Sequence, residues 1–154
     1  MNKLEIAKHY KTLLPCEQFY VTGSTALAYH GLVELNSATD LDIILVNPTE
    51  AAKELLSRLQ TANPAHTKPG GKAEVNYIFK HEDVKVDIFV QAEKVDGLLS
   101  CDGIQFSSVK HIVAAKKRIN RMKDFIQLRN LSRLFFKNEE TETYLNNVEV
   151  DNNY

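Results

Sequence analysis

Residues 21–24 (VTGS) and residues 40–43 (DLDI) decide the fold that the sequence predicts. In the second stretch, Asp40 and Asp42 flank the start of the apolar run of residues 41–46 (LDIILV), which is typical of a buried strand. Residues two apart on a strand share a face, so we expect both carboxylates on the same side of a sheet. Like charges this close repel unless a cation lies between them, and Mg²⁺ prefers hard oxygen ligands. A solvated strand end is the alternative, because chance alone gives roughly 0.4 D-x-D pairs in a chain of this composition.

A third carboxylate lies further along the chain, on a segment that alternates between polar and apolar residues. Residues 74–80 (EVNYIFK) and 84–90 (VKVDIFV) predict a β-hairpin with a short polar turn. Asp87 stands in the middle of the second strand, where a carboxylate is costly unless it is paired or bound to a metal. The alternative is an exposed sheet face that Asp87 shares with Lys85. With the D-x-D pair nearby in the sheet, a shared functional site is the favoured interpretation.

A strand and a glycine turn precede the acidic pair. Residues 18–22 (QFYVT) are aromatic and β-branched, so they predict a short strand. Gly23 would let the backbone approach a ligand closely, and Ser24 is expected to cap a helix over residues 25–30. The N-terminus of that helix would present N–H groups to a phosphate. A serine that caps the helix without any ligand explains the same residues, so this turn does not discriminate alone.

The remaining pattern predicts an α/β (α+β) fold. A first helix ends before Pro15, another covers residues 50–60, a short strand covers 104–106, and residues 109–136 are helical with a break near Asn120. The predicted order is helix, strand, helix, strand, helix, hairpin, strand, helix. This order indicates a mixed β-sheet with flanking helices.

Composition sets the size and the kind of protein. Of the 154 residues, 44% are hydrophobic and 25% are charged, as in ordinary globular proteins. We expect one domain over residues 1–137 and an acidic, mobile tail over residues 138–154. The net charge of -1 excludes a strongly basic field over the whole protein for binding nucleic acid. A local basic region stays open, because residues 110–137 contain nine Lys or Arg and one acid.

Cysteine usage and hydropathy predict the compartment. Cys16 and Cys101 are far apart and lack metal-binding spacing, which fits a reduced, intracellular protein. The first nine residues contain no apolar core of signal-peptide length. No apolar run approaches the ~20 residues of a membrane span. The sequence therefore predicts a cytoplasmic protein with no membrane partner.

The combination of these elements resembles the nucleotidyltransferase superfamily, which has the DNA polymerase β-like fold. The family pattern is an apolar-Gly-Gly/Ser turn, a D-h-D pair and a third carboxylate on another strand; it matches residues 21–24, 40–43 and 86–88 (VDI). Residues 23–30 (GSTALAYH) are similar to the small AbiEii-like bacterial nucleotidyltransferases, a group that includes toxins of toxin–antitoxin pairs. Residues 112–124 (IVAAKKRINRMKD) resemble the K-R and R-x-K-D stretch of the same group. The resemblance covers most of the chain.

The resemblance implies transfer of a nucleoside monophosphate from a nucleoside triphosphate to an acceptor. Asp40 and Asp42 would hold Mg²⁺ or Mn²⁺ on the triphosphate, and Asp87 would bind a second ion or act as a base. Gly23 and Ser24 would cradle the β- and γ-phosphates.

Cations are part of the same implied site. Three residues of the basic region would neutralise the pyrophosphate or the acceptor: Lys117, Arg118 and Lys123. A solvated face of an amphipathic helix explains these cations equally well. The chain departs from the family pattern at Asn36, because a cation often stands four residues before the D-h-D pair. One phosphate-neutralising charge would then be missing.

The acceptor and the partner stay open at this point. RNA such as tRNA, a protein or a small molecule would each serve as acceptor, and any of the common triphosphates as donor. An antitoxin or a second copy of the chain would complete a site on so short a chain. The alternative function is a catalytically weak or inactive nucleotidyltransferase-fold module that binds or regulates together with a partner protein. A third interpretation is a plain α/β interaction domain with coincidental acids.

Overall fold

The computed structural model describes residues 2–30, 40–60 and 75–119, together with residues 122 and 126. In chain order, the described helices and strands are α1 (Lys3–Leu13), β1 (Gln18–Thr22), α2 (Gly23–Tyr29), β2 (Asp40–Val46), α3 (Glu50–Leu59), β3 (Val75–His81), β4 (Val84–Gln91), β5 (Leu99–Cys101), β6 (Ile104–Phe106) and α4 (Val109–Ile119). The described residues as far as Val109 belong to one compact unit, and the rest of α4 belongs to a second.

The described strands form one mixed sheet in the order β3-β4-β2-β1-β6-β5. β2 pairs with β4, and β1 with β6, in parallel. The other neighbouring strands are antiparallel. β2 therefore lies in the interior of the sheet, between a parallel and an antiparallel neighbour. The predicted fold class, a mixed sheet with flanking helices, is confirmed.

One face of the sheet is apolar. Leu41 on β2, its register partner Val86 on β4 and the next partner Phe79 on β3 are at most 1% exposed. Tyr10 of α1 packs edge-on against Phe79, with 5.2 Å between the ring centroids. Burying each such side chain stabilises the fold by about 1.5–3 kcal/mol. Alternation along the strands leaves the acidic residues of β2 and β4 on the opposite face.

Local side-chain chemistry sets where helices begin and where strands turn. Asn2 caps α1, because its side-chain oxygen accepts a hydrogen bond from the backbone N–H of Glu5 at 2.8 Å. Thr49 caps α3 in the same way, with the N–H of Ala52 at 3.2 Å. Between β3 and β4, Glu82 adopts a φ of 56°, which closes the predicted hairpin with a tight turn.

The start of α2 corrects one prediction. The helix begins at Gly23, so Thr22 occupies the N-cap position and the predicted cap at Ser24 is wrong. The reason is the backbone of Gly23, which has a φ of +68° and turns the chain from β1 directly into the helix. The helix therefore begins without a separate capping residue after the turn.

The edge strand β5 is missing from the sequence prediction. Its three residues are all exposed, so they carry no buried alternation that would indicate a strand. The available signal was the turn that follows, Asp102-Gly103, in which both residues have positive φ values of 51° and 80°. Asp-Gly at such a turn is typical of a two-residue β-hairpin.

The other elements agree with prediction where the structure describes them. The strand over Gln18–Thr22 and the hairpin of β3 and β4 are confirmed. The break near Asn120 and the boundary between residues 1–137 and 138–154 lie outside the described residues. In the part of the chain that the structure describes, no helix has the length and apolar character needed to cross a membrane.

Candidate functional site

The sheet places the three predicted carboxylates on two adjoining strands. Asp42 of β2 is the register partner of Asp87 of β4, and Asp40 is the partner of Lys85. All of these residues alternate with the buried apolar positions, so they share the polar face. Asp87 is only 3% exposed, whereas Asp40 and Asp42 are half-buried. Residues far apart in the sequence are thus brought together by the parallel pairing of β2 with β4.

Gly23 lies against the carboxylate of Asp42. It follows Thr22, which is the cross-strand partner of Asp42. A Cβ atom on Gly23 would stand 2.6 Å from Oδ2 of Asp42, closer than any real side chain allows. The backbone φ of +68° also disfavours every other residue type. The backbone therefore favours glycine here, and any side chain would also displace the carboxylate of Asp42.

Thr25 fixes α2 to the start of β2. Its Oγ1 donates a hydrogen bond to the backbone oxygen of Asp40 at 2.6 Å, and the residue is 1% exposed. The bond ties the glycine turn to the strand that carries the acidic pair. The sequence analysis missed this role, because a threonine in the first turn of a helix gives no sign of its tertiary partner.

Two lysines contribute positive charge near the acidic pair. Nζ of Lys85 lies 3.7 Å from Oδ2 of Asp40, with the side chains 45% and 36% exposed, so solvent screens this pair. Burial lowers the pKa of Lys3, at the start of α1, while the charges of Asp40 and Asp42 act to raise it. Neither lysine was assigned to the site from the sequence.

A buried amide contacts the third carboxylate. Asn76 on β3 donates a hydrogen bond from Nδ2 to Oδ1 of Asp87 at 3.0 Å. Asn76 is 4% exposed, so both partners of the bond are removed from water. The sequence signal for this contact is an asparagine among the apolar and aromatic residues 75–79 of β3.

The donor set suits a hard divalent cation, but the side chains are not gathered around one point. Carboxylate oxygens are what Mg²⁺ and Mn²⁺ prefer, and the absence of a side chain at Gly23 lets the carboxylate of Asp42 lie close to its backbone. Among residues 2–30, 40–60 and 75–119, however, no group of three His, Cys, Asp or Glu side chains is arranged to hold a metal ion.

Two of the carboxylates have contacts with neighbouring strands. Asp40 of β2 contacts Lys85 of β4, and Asp87 of β4 accepts a hydrogen bond from Asn76 of β3. The residue types of the site fit a divalent cation.

The structure does not test the other predicted phosphate-binding residues. Ser24 is the second residue of α2 and is half-buried. Lys117 and Arg118 lie on the part of α4 that belongs to the second compact unit. Lys123 lies outside the described residues, as does Asn36, where the family pattern often has a cation. The roles assigned to Ser24, Lys117, Arg118 and Lys123 stay predictions.

Lys116 differs from its basic neighbours on α4 in its burial. It is 7% exposed, whereas Lys117 is half-buried. Ile112, four residues earlier, is 1% exposed, and this spacing places both residues on one face of α4. The spacing from Ile112 is the sequence signal for this burial.

The fold is similar to that of two solved structures from Helicobacter pylori. The crystal structure of JHP933 has a TM-score of 0.51 at 14% sequence identity, covering 93% of this chain and 72% of that chain. The crystal structure of a "putative nucleotidyltransferase" has a TM-score of 0.51 at 16% identity, covering 90% and 74%. The chain therefore has a nucleotidyltransferase-like fold, and identities this low establish nothing further. No protein-family model matches the sequence, and a comparison with curated proteins found no match.

Proposed function

We propose that this protein is a nucleotidyltransferase that depends on a divalent metal and transfers a nucleoside monophosphate from a triphosphate to a hydroxyl group. The observation that carries the proposal is the position of Asp42. It lies between Asp87 on the adjoining strand and the backbone of Gly23, so close to Gly23 that a Cβ there would displace its carboxylate. The nucleotidyltransferase-like fold supports the same conclusion without proving it.

Each residue of the site would have a separate role in the proposed reaction. Asp40 and Asp42 would hold Mg²⁺ or Mn²⁺, which supplies positive charge to the phosphates and to the attacking and leaving oxygens. Gly23 would let the phosphates approach its backbone closely beside Asp42. Asp87 accepts a hydrogen bond or the proton of the attacking hydroxyl. The hydroxyl oxygen then forms a bond to the α-phosphorus, and the bond to pyrophosphate breaks.

The finer form of the function is part of this proposal. The resemblance to the AbiEii-like group supports a toxin that acts with an antitoxin, and an RNA, a protein or a small molecule would be the acceptor. The test is incubation with each of the four labelled nucleoside triphosphates, Mg²⁺ and total cell RNA or protein. Label transferred to one fraction would identify both the donor and the class of acceptor.

Metal binding gives the first prediction. Mg²⁺ or Mn²⁺ is expected to raise the melting temperature, because binding to the folded state alone stabilises it by about 2.7 kcal/mol at 100 times Kd. For a chain of this size, this corresponds to roughly 5–10 °C. Asp42→Asn is expected to lose most of the gain, since the amide is a weaker ligand. Differential scanning fluorimetry with and without metal measures both.

The matched control is Asp83→Asn, which removes an exposed carboxylate from the turn between β3 and β4. It is expected to keep the full response to metal. An equal response of the wild type and Asp42→Asn would show that the acidic pair is not a metal site.

A second candidate function is a binding or regulatory module without turnover. It is favoured by the finding that no three His, Cys, Asp or Glu side chains among the described residues form a ready metal site. Under this alternative, Lys85 neutralises Asp40 permanently, and the polar face of the sheet binds a partner protein. Absence of transfer with all four triphosphates, together with no metal response, would favour this candidate.

The Lys85–Asp40 pair provides a prediction that separates the two functions. Lys85 competes with any divalent cation for Asp40, so Lys85→Met is expected to tighten Mn²⁺ binding about threefold in the absence of nucleotide, which is the scale of a partly exposed ion pair. Lys80→Met is the control, because Lys80 is the exposed cross-strand neighbour of Lys85. Isothermal titration with Mn²⁺ measures both variants. Unchanged or weaker binding in Lys85→Met would mean that Asp40 is not a metal ligand.

A further inference from the structure

The hydrogen bond between Asn76 and Asp87 is unusual for its surroundings. Asn76 lies two residues from Ile78, the register partner of Asp87, so both polar side chains share one face of the sheet. The two residues are 4% and 3% exposed, and Nδ2 lies 3.0 Å from Oδ1 of the carboxylate. A buried polar side chain in a strand normally requires a hydrogen-bond partner, and the partner of Asn76 is Asp87, the candidate catalytic acid.

The other end of the amide has no partner. Oδ1 of Asn76 is buried, and within the described residues nothing donates a hydrogen bond to it. Flipping the amide would turn this oxygen toward the carboxylate of Asp87, where the two acceptors would repel. Asp87 therefore fixes the orientation of the amide, at the expense of the unsatisfied oxygen.

Packing alone does not explain an asparagine at this position. Leucine has the same number and branching of side-chain heavy atoms and would leave no unsatisfied buried oxygen, and strands favour apolar or β-branched side chains. The benefit that offsets this cost is the bond to Asp87. Such a bond limits the rotation of the carboxylate and holds it ready for its ligand.

We propose that Asn76 is a positioning residue that orients the carboxylate of Asp87 toward the metal and the attacking hydroxyl. This inference rests on the nucleotidyltransferase function proposed above. Removing a partner that orients a metal ligand typically lowers metal affinity or activity by about 10- to 100-fold. The role assigned to Asn76 is therefore large enough to measure without relying on catalysis alone.

The experiment compares Asn76→Leu with Gln91→Leu. Gln91 is a buried amide on the same face of β4, and its Nε2 donates to Tyr20 Oη at 3.1 Å and to the backbone oxygen of Glu93 at 2.9 Å. Both variants remove a buried amide, and only Asn76→Leu removes a contact of Asp87. Electron paramagnetic resonance of free Mn²⁺ gives the dissociation constant, and transfer kinetics at saturating Mn²⁺ give kcat and KM.

We expect Asn76→Leu to weaken Mn²⁺ binding about tenfold and to lower kcat about tenfold with little change in KM for the triphosphate. Gln91→Leu is expected to keep the wild-type Mn²⁺ affinity and kcat. Asn76→Thr is measured in parallel, because threonine suits a strand and its hydroxyl is too short to replace the amide. It is expected to show the same loss as Asn76→Leu.

The outcomes are distinct. Wild-type Mn²⁺ affinity and kcat in both Asn76 variants would overturn the role of Asn76 and leave the proposed function standing. Equal losses in the Asn76 and Gln91 variants would also overturn it, since the effect would then be structural. A wild-type protein that binds no Mn²⁺ would overturn the proposed function and this inference together.

Discussion

Asp87→Asn is expected to reduce nucleotidyl transfer by at least about 10²-fold while triphosphate binding stays within about tenfold of the wild type. The first figure is the usual scale for losing one acid–base group, and the second corresponds to about 1.4 kcal/mol. Asparagine keeps the shape of the side chain and removes its charge. The effect therefore falls mainly on the chemical step.

The structure gives a reason to expect so large an effect at this position. Asp87 is 3% exposed and stands beside Asp42 across the parallel strand pair. Asn76 donates to it at 3.0 Å. Water has little access to replace a lost carboxylate there, so neither solvent nor buffer is expected to substitute for it.

Single-turnover transfer of labelled nucleotide, with equilibrium binding of the triphosphate measured separately, distinguishes the two effects. Asp83→Asn is again the control, because this exposed acid lies in the turn that leads into β4. It is expected to transfer at the wild-type rate. A transfer rate of Asp87→Asn equal to that of the wild type would remove Asp87 from the mechanism.

Local patterns predicted most strands because each was encoded within a few residues. The aromatic and β-branched run of β1 predicts its bounds correctly, and the alternation of β3 and β4 predicts the hairpin. The start of α2 was harder to place, since a glycine followed by a serine indicates a turn and a cap and does not show that the helix already includes Gly23. β5 carries no buried side chain and so no periodic signal.

The site could be predicted in its residues more than in its geometry. The acids of β2 and β4 stood out as polar exceptions on apolar strands. Local periodicity, however, does not predict the order of the strands in the sheet. That β4 lies next to β2, with Asp42 opposite Asp87, follows from long-range pairing. The contacts of Asn76 and Lys85 depend on the same pairing, which is why the sequence did not assign them to the site.

Gly23→Ala is expected to reduce both Mn²⁺ and triphosphate affinity by at least about 10²-fold, a loss of about 2.8 kcal/mol or more in binding. The new Cβ would stand 2.6 Å from Oδ2 of Asp42, so the carboxylate has to move. A methyl group in this place also occupies the space proposed for the phosphates. One substitution thus disturbs two partners of the site.

Backbone strain has to be separated from this effect, because alanine at a positive φ costs about 1–2 kcal/mol wherever it occurs. Gly97 provides the matched control. Its φ is +75°, close to the +68° of Gly23, but a Cβ built there meets nothing within 4 Å. Gly97→Ala should therefore carry the same strain without touching Asp42.

The two alanine variants are expected to have similarly lowered melting temperatures and to differ in their affinity for Mn²⁺ and for the triphosphate. Calorimetric titration with Mn²⁺, and then with a triphosphate in the presence of Mn²⁺, measures the difference. Wild-type affinities in a folded Gly23→Ala protein would show that the close approach of Gly23 to Asp42 serves packing alone. Equal losses of affinity in Gly23→Ala and Gly97→Ala would assign the effect to the strained backbone. A loss of affinity in Gly23→Ala but not in Gly97→Ala would assign the effect to the contact with Asp42, since that contact distinguishes the two glycines.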